Sequence, residues 1–246
     1  MKFKSNFFYS YLKEAPIPLA LERSYECEIL SKQMFTRPIL DIGCGEGIFA
    51  YVLFDEKIDV GIDPDEHELS RAKRYNMYGE LVRCFGDKIL KPNGSFNTVF
   101  SNSVLEHIPD IQSVLQEVYR LLSPAGDFYI TVPTNLFDQY SVINQILVGV
   151  GLNEFAAKYR VFFNKFWRHY HYYDIAGWHK LLTKNGFEVV QSQQYCKKST
   201  ALLNDCLAPL SLVSFISKKL FNKWYLFSLS RRIIAPFYFL SLRSKE

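Results

Sequence analysis

Short apolar runs with strand character alternate with segments of helical period through the first half of the chain, at 38–43, 58–63, 80–85, 96–102 and 127–132 for the strands and at 19–34, 47–55, 65–76 and 111–122 for the helices. That order leaves few architectures open, because strand–helix–strand units lie down as a parallel sheet with helices on both faces. It predicts a doubly wound α/β domain with five parallel strands. After Pro133 the alternation lapses into an aromatic-rich stretch, 134–173, expected to form a lid. It resumes with a helix over 174–185, Gly186 as its stop, and a strand over 187–195.

Hydrophobic residues make up 48% of the 246 and charged residues 22%, so a sizeable core is available and a disordered chain is excluded. One domain over 1–196 followed by an extension over 197–246 fits that length. Cys27, Cys44, Cys84, Cys196 and Cys206 are scattered and odd in number, with no Cys-x-x-Cys pair, which indicates neither a disulfide framework nor a zinc site. A reducing, cytoplasmic setting is expected. Met1–Tyr11 carries Lys2 and Lys4, but its apolar run is broken by polar residues and has no small-residue cleavage motif, so it does not read as a signal peptide.

In an open α/β sheet a ligand binds beyond the carboxyl ends of the strands. The first strand ends in Asp41-Ile42-Gly43-Cys44-Gly45-Glu46-Gly47, where glycines let the backbone turn beside a ligand or simply lead into the next helix. Asp63 follows Gly43 by twenty residues, at the end of the second strand, where a carboxylate can accept both hydroxyls of a ribose. Asp63-Pro64-Asp65-Glu66 also reads as a capping box with Asp63 as N-cap. The third glycine of a dinucleotide fingerprint would stand at 48, where this chain has Ile48. Asp41, Asp63 and Asp87, with no Lys or Arg crowding the loop, suit a cationic adenosyl amino acid better than a pyrophosphate.

Leu40–Gly47, Gly61-Ile62-Asp63-Pro64, Gly86-Asp87, Phe96–Ile108 and Leu122–Asp127 occur in the order found in class I S-adenosylmethionine-dependent methyltransferases, and residues 38–133 resemble the small-molecule group similar to ubiquinone-biosynthesis methyltransferases. The resemblance implies a Rossmann-like, mostly parallel sheet and S-adenosyl-L-methionine as cofactor, with S-adenosyl-L-homocysteine as product. It places Asp41, Gly43, Gly45 and Gly47 at the methionine moiety, Asp63 at the ribose, Asp87 at the adenine and the Ser101 backbone at the ammonium. Ala125 stands where many relatives have a second glycine. The seventh, antiparallel strand of the fold has no visible signature.

An in-line displacement needs alignment and exclusion of water more than acid–base machinery. His107, just beyond the fourth strand, is the candidate base for a hydroxyl acceptor, or else it fixes the loop before Pro109. His169, His171, Tyr172 and Tyr173 either line the acceptor pocket or pack the lid. Around His169, His171 and Asp174 no further convergent ligand is identifiable, so no metal is expected.

Residues 197–246 hold nine Lys or Arg against Asp205 and Glu246, a net of +7, which leaves the rest of the chain at −3. A net acidic body argues against nucleic acid. The apolar segments 206–217, 224–230 and 233–242, separated by Lys218, Lys219, Lys223, Arg231 and Arg232, are too short to span a bilayer. They read as a helical cap on the domain or as a peripheral membrane contact through 204–246 at the inner membrane face. The acceptor is expected to be a small or lipid-linked molecule, such as an envelope glycan or isoprenoid intermediate. The competing readings are an NAD(P)-dependent oxidoreductase and a noncatalytic cofactor-binding or membrane-attached scaffold.

Overall fold

The computed structural model describes residues 1–221. β1 (Ile39–Ile42), β2 (Ile58–Asp63), β3 (Tyr78–Arg83), β4 (Phe96–Asn102) and β5 (Leu122–Thr131) form one sheet in the order β3-β2-β1-β4-β5, every neighbouring pair parallel. The chain passes from β1 outward to β3 and then returns to the other side of β1, so the switch point lies between β1 and β4, where the loops that follow these strands part.

Alternation along the strands supplies both cores. Ile39 and Phe100 face α1 (Phe7–Glu14), α2 (Ile17–Leu30), α3 (Ile48–Leu53) and α4 (Glu66–Ala72), a core that Ile58 joins from the start of β2, while Leu40, Ile42, Val60, Ile62 and Val99 face α5 (Ile111–Leu121). The plentiful aromatics are used here: Phe35 meets the rings of Phe3, Phe54, Phe100 and Tyr129 at 4.9–5.7 Å. The segment 1–14, which gave no helical signal, contributes α1, whose Phe7, Phe8, Tyr11 and Leu12 are buried.

The β4–β5 ladder is regular from Thr98↔Asp127 to Asn102↔Thr131, matching the predicted start of the strand at Asp127, whereas Leu122 pairs with Phe96 across an irregularity. The lid region forms α6 (Leu136–Gln139), α7 (Val142–Gly149) and α8 (Asn153–Phe166). α9 (Ile175–Lys184) starts at the Asp174 cap, which accepts from Gly177 N–H at 2.7 Å.

The expected strand over 187–195 does not form. Phe187 packs on Tyr119 and Phe128, and the Tyr195 hydroxyl reaches Glu26, but Val190 is 89% exposed and 191–194 are polar and exposed. Held by side chains at its two ends, the segment runs as irregular chain alongside β5 with a cavity between them. Of the C-terminal extension, α10 (Lys198–Leu207) packs on α2 and α7, and α11 (Leu212–Phe221) follows it. The apolar segments 224–230 and 233–242 lie outside the described residues. Among the described residues no helix is long and apolar enough to cross a membrane.

Candidate functional site

The glycine loop after β1 turns through three left-handed positions, Gly43, Gly45 and Gly47, with φ of 74°, 51° and 79°. A Cβ on Gly43 would come within 2.6 Å of Val104, and one on Gly47 within 3.1 Å of Ala72, whereas at Gly45 nothing lies within 4 Å. The loop is thus wedged at both ends and open in the middle, facing the space beyond β1.

Its amides are already committed. Gly43 and Cys44 N–H donate to the Ile62 carbonyl at 2.9 Å, Gly47 N–H to the Cys44 carbonyl at 3.0 Å, and Gly45 N–H to Asp63 Oδ2 at 3.0 Å. A phosphate cradle needs such amides free to converge on an anion. Here they hold the loop together and present carboxylates outward, which fits a cationic adenosyl amino acid and not a pyrophosphate.

Asp63 also accepts from Asp65 N–H at 2.8 Å, and burial raises its pKa above the usual carboxylate value against the pull of these two donors. The N-cap of α4 is Asp65, which accepts from His67 and Glu68 N–H, so Asp63, expected as the cap, stands two residues before it at the end of β2. Half-exposed there, its carboxylate stands beside the open Gly45.

Asp41 lies deeper. It is 3% exposed and accepts a 2.7 Å hydrogen bond from the Tyr78 hydroxyl; burial pushes its pKa to about 7, opposed by Tyr78 and assisted by the charge of Asp63. Its structural partner is therefore Tyr78, a residue with no signal in the sequence. Asp87 is exposed just after Gly86, which packs against Ile42 and Val114. Ser101 is buried, and its hydroxyl donates to the Ile42 carbonyl at 3.1 Å, joining β4 to the end of β1. Asp41, Asp63, Asp87 and Ser101 thus lie at or just beyond the carboxyl ends of β1, β2, β3 and β4, side by side at one end of the sheet.

A second polar centre lies beyond β4. Glu26 of α2 is fully buried and receives Arg23, Ser103, Asn102 and Tyr195, which ties the leading helix to the end of β4 and to the segment 187–195. Glu106 follows; it is 2% exposed, and burial raises its pKa to about 8. The Glu106 carbonyl accepts from Tyr170 and His171 N–H, and His171 Nε2 bonds the Ile108 carbonyl, so the end of the lid is fastened to the loop after β4.

His107 Nδ1 lies 3.2 Å from the Arg168 carbonyl, and burial lowers its pKa. A carbonyl only accepts, so the proton sits on Nδ1 and Nε2 is left as an acceptor. Of the histidine cluster, His171 is committed to Ile108 and Tyr173, while His169 turns toward His107, ring centroids 5.2 Å apart. His169 is held near a pKa of about 4, first by burial and then by His107. A cavity of about 1360 Å³ runs from Ser103, His107 and His169, past Phe137 and Tyr140, along β5 to residues 187–196.

Comparison with known proteins places this geometry in a family. The model described as "Methyltransferase domain" matches residues 21–192, which includes every strand and the lid. The chain belongs to the methyltransferase domain family. The nicotinamide reading finds no support. This methyltransferase is 34% identical over 117 residues to a protein named "Putative methyltransferase YrhH" from Bacillus subtilis, covering 44% of the chain and 64% of the relative. It is 32% identical over 112 residues to a ubiquinone biosynthesis O-methyltransferase of Escherichia fergusonii, covering 42% and 45% respectively. The chain thus spans about half to two thirds of the length of these relatives. In fold it is similar to a solved Thermotoga maritima protein described as an S-adenosylmethionine-dependent methyltransferase, with a TM-score of 0.52 and 20% identity over 74% of this chain and 75% of that one.

Proposed function

We propose that this methyltransferase moves the methyl group of S-adenosylmethionine to a hydroxyl of a small or lipid-linked acceptor held under the lid. The observation that carries this is the cavity of about 1360 Å³ that opens at His107. It exceeds the ~300–1,000 Å³ that encloses drug-sized ligands, leaving room for an elongated molecule.

In this reading Gly43, Gly45 and Gly47 shape the cofactor end, Asp63 takes the ribose hydroxyls, Asp87 the adenine and the Ser101 backbone the ammonium, with Asp41 holding the loop from beneath. The cofactor, when bound, supplies an electrophilic methyl on a sulfonium and leaves as S-adenosylhomocysteine. The acceptor oxygen forms the new bond to carbon, the bond from that carbon to sulfur breaks, and the hydroxyl proton passes to His107 Nε2. Because burial holds the imidazole neutral near pH 7, it is free to take that proton.

A lipid-linked acceptor is favoured by the outer face of the lid, where Phe155, Phe162 and Phe166 are exposed on α8 among Lys158 and Lys165. Aromatics interleaved with lysines are the composition of helices that rest on anionic membrane surfaces. The basic extension 204–246 has the same character in sequence. The test is a transfer assay with methyl-labelled cofactor against separated soluble and lipid extracts, with mass identification of the product. Label appearing only in water-soluble products would remove the lipid-linked acceptor, and label in neither fraction would remove the proposal.

A further inference from the structure

Glu106 and His107, in the turn after β4, meet His169, just beyond α8, in an arrangement that the acceptor cavity alone does not require. One ligand atom of each lies within 4.8 Å of the others. Glu106 Oε1 is 3.8 Å from His107 Nε2. Glu106 Oε2 is buried with no hydrogen-bond partner. An unpaired buried carboxylate oxygen is costly, and Arg23, the nearby cation, is already bonded to Glu26 and Ser103.

Both imidazoles are prepared in the same way. His107 Nδ1 meets the Arg168 carbonyl, and His169 Nδ1 lies 3.3 Å from Asn164 Oδ1. Each acceptor oxygen fixes the proton on Nδ1 and leaves the Nε2 lone pair free. Asn164 is buried and anchored in turn, its Nδ2 donating to Asp138 at 2.5 Å. Carbonyl or amide oxygens behind the far ring nitrogen are the supports that orient metal-binding histidines. Two imidazole nitrogens and one carboxylate are also a donor set that suits zinc when a further coordination position faces a cavity.

We propose that Glu106, His107 and His169 bind one zinc-type divalent ion whose open position faces the acceptor cavity. All three residues line that cavity. Binding does not rest on the methyl-transfer reading, but the role of the ion does. An acceptor hydroxyl coordinated there would release its proton to solvent water in the open cavity more readily, so in the loaded protein the ion takes over the activation assigned above to His107, which becomes a ligand.

The test uses the full-length protein, stripped with chelator and titrated with zinc chloride by calorimetry, with bound metal counted by elemental analysis after dialysis. One zinc per chain is expected, with the affinity lowered at least tenfold in Glu106→Gln and in His169→Gln separately. Cobalt should give the visible absorption of a low-symmetry site in the parent only. Binding of S-adenosylhomocysteine, measured on each variant, reports that it is folded and isolates a failure of the metal site from a failure of the methyltransferase reading. Absence of zinc from the parent, or equal retention by both folded variants, overturns the proposal; should one variant not fold, Asn164→Ala, which frees His169 without touching a ligand, replaces it under the same criterion.

Discussion

The Tyr78 hydroxyl donates a 2.7 Å hydrogen bond to Asp41, and the same tyrosine ring occupies the space that a side chain on Gly61 would need, 2.5 Å from where its Cβ would stand. Strand 3 therefore reaches across strand 2 to hold the base of the glycine loop, and it does so only because strand 2 is bare at Gly61. Gly61→Ala should displace Tyr78 and loosen the loop, lowering affinity for S-adenosylhomocysteine by roughly tenfold or more, equivalent to about 1.4 kcal/mol. Calorimetric titration of the folded variant measures this, and an unchanged affinity would refute the linkage.

Asp41 also predicts a pH dependence. Its pKa of about 7 in the folded chain lies above the ordinary aspartate value, so the folded state holds this proton more tightly than the unfolded one. The associated stability is complete below about pH 4 and is lost as pH rises toward 7. Asp41→Asn keeps an acceptor for Tyr78 and removes the titration. Relative to the parent it should gain on the order of 4 kcal/mol at pH 8 and little at pH 4. Urea unfolding at the two pH values decides this; a gain of equal size at both would point to another cause.

Ala125 has φ of 60°, a left-handed conformation in which an L side chain is strained. Ala125→Gly should stabilise the protein by about 1 kcal/mol, visible as a higher urea midpoint at unchanged slope. A lower midpoint would show that the loop gains more from its methyl group than it loses in backbone strain. The position also marks where sequence falls silent: a left-handed turn is legible when glycine fills it, and here alanine does. The strand-end glycines Gly43 and Gly47 are legible for that local reason, and Asp63 is legible by its spacing from Gly43. Tyr78 is not, because its role depends on the register Gly61↔Leu81 between two strands, which no short window contains. The segment 187–195 fails in the opposite direction. Its local pattern suits a strand, but a strand needs a backbone partner, and this segment is held only by side chains, Phe187 on Phe128 of β5 and Tyr195 on Glu26 of α2.

His107→Asn should lower the transfer rate by roughly 10²-fold or more while leaving S-adenosylhomocysteine binding within twofold, since the histidine faces the acceptor side and not the glycine loop. The same separation holds whether the residue accepts a proton or ligates an ion. Rate and product affinity measured on one preparation give the answer, and parallel losses in both would mean that His107 supports the fold of the cofactor end. Glu106 was visible beside it in sequence, but its lack of a partner and the approach of His169, more than sixty residues later, are tertiary facts.

The C-terminal extension meets the cofactor loop through charge. Lys218 of α11 lies 2.9 Å from Glu46, within the glycine loop, and 3.5 Å from Glu68 of α4, while Arg71 bonds Glu68 at 2.8 Å and approaches Glu46 at 3.9 Å. These side chains are 11–23% exposed, so their interactions are screened less than those of a surface pair. Burial raises the Glu68 pKa while Lys218 acts to lower it, as expected of a carboxylate that depends on its cation. A cycle of Lys218→Met, Glu46→Gln and the double variant should give a coupling of about 0.5–2 kcal/mol at low salt, shrinking as salt rises. Hydrogen exchange in α11 should quicken in the single variants, because the clasp joins that helix to the loop. Additive effects, with no change in α11 exchange, would show that the helix is held by its apolar face alone and that the extension has no grip on the cofactor end.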